Sequence, residues 1–317
     1  MANQPKTLQQ AIVYFADPAN CRKYAVEHRW PDGVVKCPHC GSANVAFQEK
    51  YNRWQCNNRH DRRQFTVKTG TIFEDSPLGL DKWLTAMWMI ANCKNGVSSW
   101  EIHRAVKVTQ KTAWFMLHRI RLAMHPPTDT MLEGEIEVDE SLIGGASRFM
   151  HKDKRERVIK GTGGQEKAMV LGMVERGGRV RGFVVGSRTK KALQEKIREH
   201  VKAGSAIFSD ELLSYEGLDI DYRHAVINHA VEYVHGNVHT NTIENFWSLL
   251  KRGLKGTYVS VEPFHLFRYI DEQAFRYNFR KADGGDWERC SQVASHVLGK
   301  RLTYAELTGK VGETSNN

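Results

Sequence analysis

The sequence predicts an α/β domain over residues 130–282, preceded by a small Cys/His segment and a helical region. Three observations predict it. Polar and apolar residues alternate over Glu135–Ile143, and two more apolar segments, Lys167–Val174 and Arg179–Val185, flank Gly177-Gly178 as a hairpin would. Apolar residues then recur at helical spacing over His239–Gly253 and Phe264–Phe279. Upstream, Cys37-Pro-His-Cys40 and Cys56-Asn-Asn-Arg-His60 form two close pairs of soft ligands. Strands followed by mixed strands and helices build an α/β layer.

A chain of 317 residues has room for two to three domains, and 41% hydrophobic with 10% aromatic residues suits packed cores rather than disorder. Lys and Arg number 46 against 36 Asp and Glu, a formal charge of +10 that favours a polyanionic partner, nucleic acid being the commonest. The start, Met1-Ala-Asn-Gln-Pro-Lys6, lacks the apolar core of a signal peptide. The best apolar run, Trp83–Cys93, is interrupted by Thr85 and too short to span a bilayer. The expectation is a cytoplasmic protein without a membrane partner, whose six cysteines stay reduced and whose clustered thiols are metal ligands.

Residues 1–32 read as a helical lead-in anchored by Leu8, Ile12, Phe15 and Tyr24, with Cys21 a small buried residue. Over 33–70, a fifteen-residue spacer between Cys40 and Cys56 allows a hairpin that joins the two ligand pairs into a tetrahedral zinc site. Cys37, Cys40 and Cys56 carry the stronger signal; the fourth ligand is His60, Asp61 or His39. Without zinc, a segment this poor in apolar mass would not fold alone. Arg53, Arg59, Arg62, Arg63 and Lys68, with Trp54 and Phe65, surround it and suit contact with DNA.

Residues 78–125 read as three helices. The first runs from Leu80 to Cys93, the second is capped by Ser98 or Ser99, and Val108-Thr109 separates it from a third over Lys111–Met124. Either the last two form a helix-turn-helix, with Gln110, Lys111, Thr112, His118, Arg119 and Arg121 facing DNA, or the three are a plain bundle. His125-Pro-Pro127 begins a linker. Further on, Thr189–Val201 reads as a helix with Leu193 and Ile197 inward, Ser205–Ser209 as a buried strand ending at Asp210, and Ala225–Ile227 as another short strand. The basic loop Arg148–Lys160 is open to two readings, a solvated loop or a DNA-backbone contact. Residues 283–317 read as a C-terminal tail, partly helical around Val293, Val297 and Leu302.

Three carboxylates stand out by placement: Asp139 in the first strand, Asp210 at the end of a later one, and Glu244 near the start of the His239–Gly253 helix. Strand ends and an adjacent helix start can converge on one sheet edge. Convergent carboxylates are hard oxygen ligands suited to Mg²⁺ or Mn²⁺, and a pair of such ions serves in-line displacement at phosphorus. Each acid also has a plainer reading. Asp139 could face solvent, with Glu137 and Glu140 as rivals for its role, and Asp210 could cap Glu211–Tyr215. Glu244 could close a capping box with Asn241 as N-cap.

Cys37-Pro-His-Cys40, Arg63–Ser76, Glu137-Val-Asp-Glu140 and above all His239-Thr-Asn-Thr-Ile-Glu-Asn-Phe-Trp-Ser-Leu-Leu-Lys-Arg-Gly253 resemble the DDE transposases of bacterial insertion sequences that carry an N-terminal zinc ribbon. The resemblance spans about residues 18–280. It implies a ribonuclease H-like catalytic core with Asp139, Asp210 and Glu244 binding two Mg²⁺ or Mn²⁺ ions, Lys251 as a companion cation near DNA, and one structural Zn²⁺ in the ribbon. Some members have Asn in place of the third acid; here Glu244 stands at that position. The implied activity is cleavage of DNA at the element's ends and joining of the freed 3′-hydroxyl strand to target DNA. A homodimer or higher oligomer, associated with the bacterial nucleoid, goes with it. A zinc-dependent DNA-binding regulator and a nuclease that never joins strands are the rivals.

Overall fold

The computed structural model describes residues 4–125, 130–145, 152, 153, 156, 167–210, 213–227 and 239–310. The chain divides into two compact units, Pro126–Arg280 and a second made of Met1–His125 with Lys281–Asn317. Apart from Lys152, Asp153 and Glu156, the basic loop Arg148–Lys160 lies outside the described residues.

The first unit is built on a five-stranded sheet of β4 (Glu135–Ile143), β5 (Ala168–Glu175), β6 (Val180–Val185), β7 (Ala206–Asp210) and β8 (Arg223–Ile227). Their order is β6-β5-β4-β7-β8. β4, β5 and β6 pair antiparallel, with Gly177 at φ +74° in the tight β5–β6 turn, while β4–β7 and β7–β8 are parallel. This is the ribonuclease H-like mixed sheet that the resemblance implies. β4 lies at its centre and is covered on both faces. Ile136 and Val138 pack with Leu193 and Ile197 of the helix Lys190–His200, whose start is capped by Thr189. On the other face Ile143, Val170, Val174 and Val180 meet Ile243, Phe246, Trp247 and Leu250 of Asn241–Gly253, and Ile270 and Ala274 of Leu266–Asn278. Burying a side chain of this kind contributes about 1.5–3 kcal/mol.

Two local expectations are corrected. Thr240, not Asn241, occupies the N-cap of Asn241–Gly253, and its side chain caps nothing; the helix start is satisfied from β4 instead. Phe264 and Phe267 are exposed rather than core, because a short 3₁₀ turn over Pro263–His265 precedes the helix and rotates Leu266, Tyr269 and Ile270 inward.

The second unit begins with α1 (Leu8–Phe15) and α2 (Pro18–Arg29). A three-stranded antiparallel ribbon follows, β1 (Val45–Gln48), β2 (Arg53–Cys56) and β3 (Gln64–Phe65). Then come α3 (Leu80–Asn92), α4 (Ser99–Val106) and α5 (Gln110–Met124). The three helices already described in the sheet unit are α6 (Lys190–His200), α7 (Asn241–Gly253) and α8 (Leu266–Asn278); α9 (Gly285–Ser295) and α10 (Tyr304–Leu307) return to this unit. Among the described residues, no helix is long and apolar enough to cross a membrane.

Phe15 and Tyr24 are buried as expected, but Leu8 and Ile12 are exposed, since an eight-residue helix resting on one side offers only part of its circumference. Trp287 of α9 stacks at 6.3 Å on Phe15 and meets Tyr24 edge-on at 4.9 Å. Val293, Val297 and Leu302 are buried, Gly299 N–H donates to the Gly70 carbonyl, and Arg119 donates to that of Leu302. The segment read as a tail is therefore part of this unit's core.

α4 starts with a full capping box between Ser98 and Glu101, and Lys107 at φ 52° turns the chain into α5, capped by Thr109. Gln110, Lys111 and Thr112 remain accessible at the start of α5, whereas His118, Arg119 and Arg121 are buried and do not face solvent. Lys68 is likewise turned inward, donating to the carbonyls of Ser76 and Leu78.

Candidate active site

The acids of the sheet unit are brought together by strand register. β4 and β7 run parallel with Glu135 opposite Ala206 and Glu137 opposite Phe208. Continued by two residues, that register sets Asp210 beside Asp139 on the same face. Carboxylate oxygens of Asp139, Glu140 and Asp210 lie within 4.8 Å of one another.

Burial pushes the Asp139 carboxyl above its ordinary range; the charges of Asp210 and Glu244 add to this, and the hydrogen bond from Trp247 opposes it. Glu140 is pushed up to about 7, again mainly by burial and then by Asp210 and Asp139, against a hydrogen bond from the Tyr215 hydroxyl at 2.8 Å. Three half-buried hard oxygen donors that repel one another fit a divalent cation, whose charge would relieve both the burial and the repulsion.

Glu137, two residues before Asp139, is fully buried. Its Oε2 accepts the backbone N–H groups of Thr242 and Ile243 at 2.8 and 3.0 Å; its Oε1 accepts the Thr242 hydroxyl and Arg176 Nε, both at 2.9 Å. Arg176 also donates to the His239 carbonyl and stacks over Phe208. The start of α7 is thus pinned to β4 by a strand carboxylate. One turn further along, Trp247 Nε1 donates to Asp139 Oδ2 at 2.9 Å.

In the ribbon, Cys37 Sγ lies 3.5 Å from His60 Nε2 and Cys40 Sγ 3.6 Å from Cys56 Sγ, and all four ligand atoms fall within 4.8 Å of one another. Bonds of about 2.3 Å around a tetrahedral ion set its ligands roughly 3.7 Å apart, so the four fit zinc. The β1–β2 hairpin, pairing Val45 with Cys56, delivers the second pair to the first. Asp61 and His39 are not in this group.

Residues 131–278 match the family model of the ISXO2-like transposase domain, and residues 17–60 that of the transposase zinc-ribbon domain. A protein of Haemophilus influenzae described as an uncharacterized transposase-like protein is 34% identical over 83 residues, 26% of this chain and 67% of that one. The chain belongs to the ISXO2-like transposase family. It is also 28% identical over 256 residues, 77% of this chain and 85% of the other, to a Halobacterium salinarum protein described as an uncharacterized protein in transposable element ISH50.

Within this transposase, Asp139 and Asp210 meet, and Glu140, a rival at the sequence level, joins them. Glu244 is exposed on the first turn of α7 and lies outside the close cluster, although its charge acts on Asp139. Lys251 is exposed two turns along the same helix. Sequence reasoning missed the roles of Trp247 and Tyr215. Trp247 lies in the apolar stripe of α7 and carries no polar signal there; only its indole N–H, a donor needing a partner once buried, hints at more.

Proposed function

We propose that this transposase cleaves DNA at the ends of its element and joins the freed strand to target DNA, with Asp139, Asp210 and Glu244 holding two Mg²⁺ or Mn²⁺ ions. The observation that carries this reading is the convergence of Asp139 and Asp210 across the parallel β4–β7 register, in a domain of the ISXO2-like family. Bound there, divalent cations would activate the attacking oxygen and stabilise the leaving one.

The chain's own residues do the rest. Asp139 and Asp210 would hold the ions from adjacent strands, with Glu140 as a further oxygen donor beside them, so that the scissile phosphate meets cations rather than bare carboxylates. Glu244 supplies the third acid from α7, and Lys251, seven residues on and so nearly above it, meets a DNA phosphate. In the first step water adds to phosphorus and the bond to the 3′ oxygen breaks, leaving a 3′-hydroxyl and a 5′-phosphate. In the second, that hydroxyl attacks a target phosphodiester, forms a new bond to phosphorus and displaces another 3′ oxygen.

Cys37, Cys40, Cys56 and His60 hold one Zn²⁺ and keep the ribbon folded. The ribbon, 33–70, and the helices of 78–125 bind DNA, the exposed start of α5 reading it, and 130–282 carries the chemistry. Two or more copies hold two element ends at the nucleoid in the cytoplasm. The test is strand cleavage with Mg²⁺ or Mn²⁺ by Asp139→Ala, Asp210→Ala and Glu244→Ala. Loss in each is expected, and undiminished cleavage in all three overturns the reading. Joined products from a pre-cleaved end bearing a 3′-hydroxyl distinguish a transposase from a nuclease that only hydrolyses.

A further inference from the structure

We propose that Trp247 is the positioning residue of Asp139 and that Gly172 is glycine in order to admit it. This rests on the reading of Asp139 as a metal-binding acid. Both oxygens of that carboxylate are tied. Oδ2 accepts the Trp247 indole N–H at 2.9 Å, and Oδ1 accepts the Glu140 backbone N–H at 2.8 Å. Two donors on different oxygens fix the carboxylate's plane, and each oxygen keeps a second lone pair for a cation.

Gly172 stands directly opposite Asp139 in the β4–β5 register. Its φ is not in the left-handed region, so backbone conformation does not call for glycine there. Space does. A Cβ at 172 would come within 2.6 Å of Trp247 Cζ2, 2.7 Å of Cη2 and 2.9 Å of Ile243 Cδ1. Glycine inside a strand sacrifices packing and marks the close approach of another group. Here that group is the far edge of the indole, laid over the strand so that its N–H reaches the acid.

Packing alone does not account for the arrangement. Trp247 sits in the cluster of Val170, Val174, Phe246 and Leu250, where a Phe or Leu would fill space without a donor. The buried indole instead brings a polar group into an apolar layer and directs it at one of the paired acids. Trp247 also lies three residues after Glu244 and four before Lys251, hence on their side of α7. The hydrogen bond to Asp139 therefore joins the Glu137 anchor at the helix start in holding that side of α7 against the strand acids. Groups that orient metal ligands in this way typically change metal affinity 10–100-fold when lost.

The decisive variant replaces the Trp247 indole by benzothienylalanine, which keeps the bicyclic shape and lacks the N–H. Gly172→Ala is its independent partner, since it leaves the indole N–H in the chain but pushes the ring off the strand. Mn²⁺ binding to the full-length protein is followed by electron paramagnetic resonance of free Mn²⁺, with folding checked by circular dichroism. An increase of about 10-fold in the Mn²⁺ Kd is expected for each, and the double replacement is expected to be no worse than the weaker single one. Wild-type affinity in the isosteric replacement overturns the proposal, because a purely structural Trp247 would tolerate it. Wild-type affinity in Asp139→Asn overturns instead the reading of Asp139 beneath it.

Discussion

Glu137 of β4 accepts the backbone N–H of Ile243 at 3.0 Å, across 106 positions of sequence, and so closes the first turn of α7. Most helices satisfy their first N–H groups with the side chain of the preceding residue. Here Thr240 does not, and an acid from the central strand fills the site, where the helix dipole favours negative charge. Arg176 and His239 Nδ1 stand against the same carboxylate. The helix carrying Glu244 and Lys251 is thereby registered on the strand carrying Asp139.

Removing that carboxylate is expected to be costly. Glu137→Ala takes the acceptor from two backbone donors and from the half-buried Arg176, which keeps Glu135 and the His239 carbonyl, at a cost of about 1–3 kcal/mol for each buried donor left unsatisfied. Glu137→Gln keeps one acceptor and costs less, about 1–3 kcal/mol. Urea unfolding followed by circular dichroism reads both; equal stability of all three proteins would refute the anchoring role.

Metal binding is expected to compete with protons. Folding holds Glu140 at about 7, above the ordinary 4.5, chiefly through burial, so the neutral form is the one the fold prefers. The metal-free protein accordingly loses stability as pH rises from about 4.5 to about 7, and a cation must displace the proton below that point. Mn²⁺ affinity should climb with pH up to about 7 and level off above it. In Glu140→Gln the climb should flatten, as titration calorimetry at several pH values would reveal.

Chelation of zinc is expected to unfold the ribbon and leave the sheet unit intact. One Zn²⁺ per chain should be released, protease sites should open between residues 37 and 60, and DNA affinity should fall. Mn²⁺ binding at the acids should persist. A purified protein free of zinc whose ribbon resists proteolysis contradicts this.

Lys251→Ala is expected to weaken DNA binding at every sequence alike and to lower the salt-dependence slope by about 1, as loss of one phosphate contact does. Mn²⁺ affinity should stay as in the wild type. Gel-shift titrations over a range of salt concentrations provide the slope, and an unaltered slope would remove Lys251 from the DNA surface.

Much of this was legible in the chain. Alternation marked β4 and its faces, ligand spacing marked the ribbon, and helical periodicity marked α7 with Ile243, Phe246, Trp247 and Leu250 inward. Periodicity assigns a residue to a face but says nothing of what lies across from it. Glu137 therefore read as a rival catalyst rather than an anchor, and Trp247, whose partner is 108 positions away, read as core alone. In the helix-turn-helix reading His118, Arg119 and Arg121 faced DNA, because charge suggests solvent, yet all three are buried as the bundle alternative requires. Glu140 joined the acids although alternation points it to the opposite face from Asp139: it is held by Tyr215, which packs with Leu193 and Ile197 on that face, yet its carboxylate comes within 4.8 Å of those of Asp139 and Asp210 at the strand ends.

The placement of Trp287 against Phe15 and Tyr24 bears on the order in which the protein matures. The unit formed by Met1–His125 needs α9, which is synthesised only after the whole of Pro126–Arg280. Domains generally fold as they emerge, the N-terminal one first. In this chain the rule is inverted: the sheet unit is complete at Arg280, while α1 and α2 wait for α9 to supply Trp287 to their core; the ribbon's own cluster of Trp30, Trp54, Phe65 and Val67 needs no residue from that segment. Translation that stops at Arg280 would release a finished sheet unit attached to an unfinished partner.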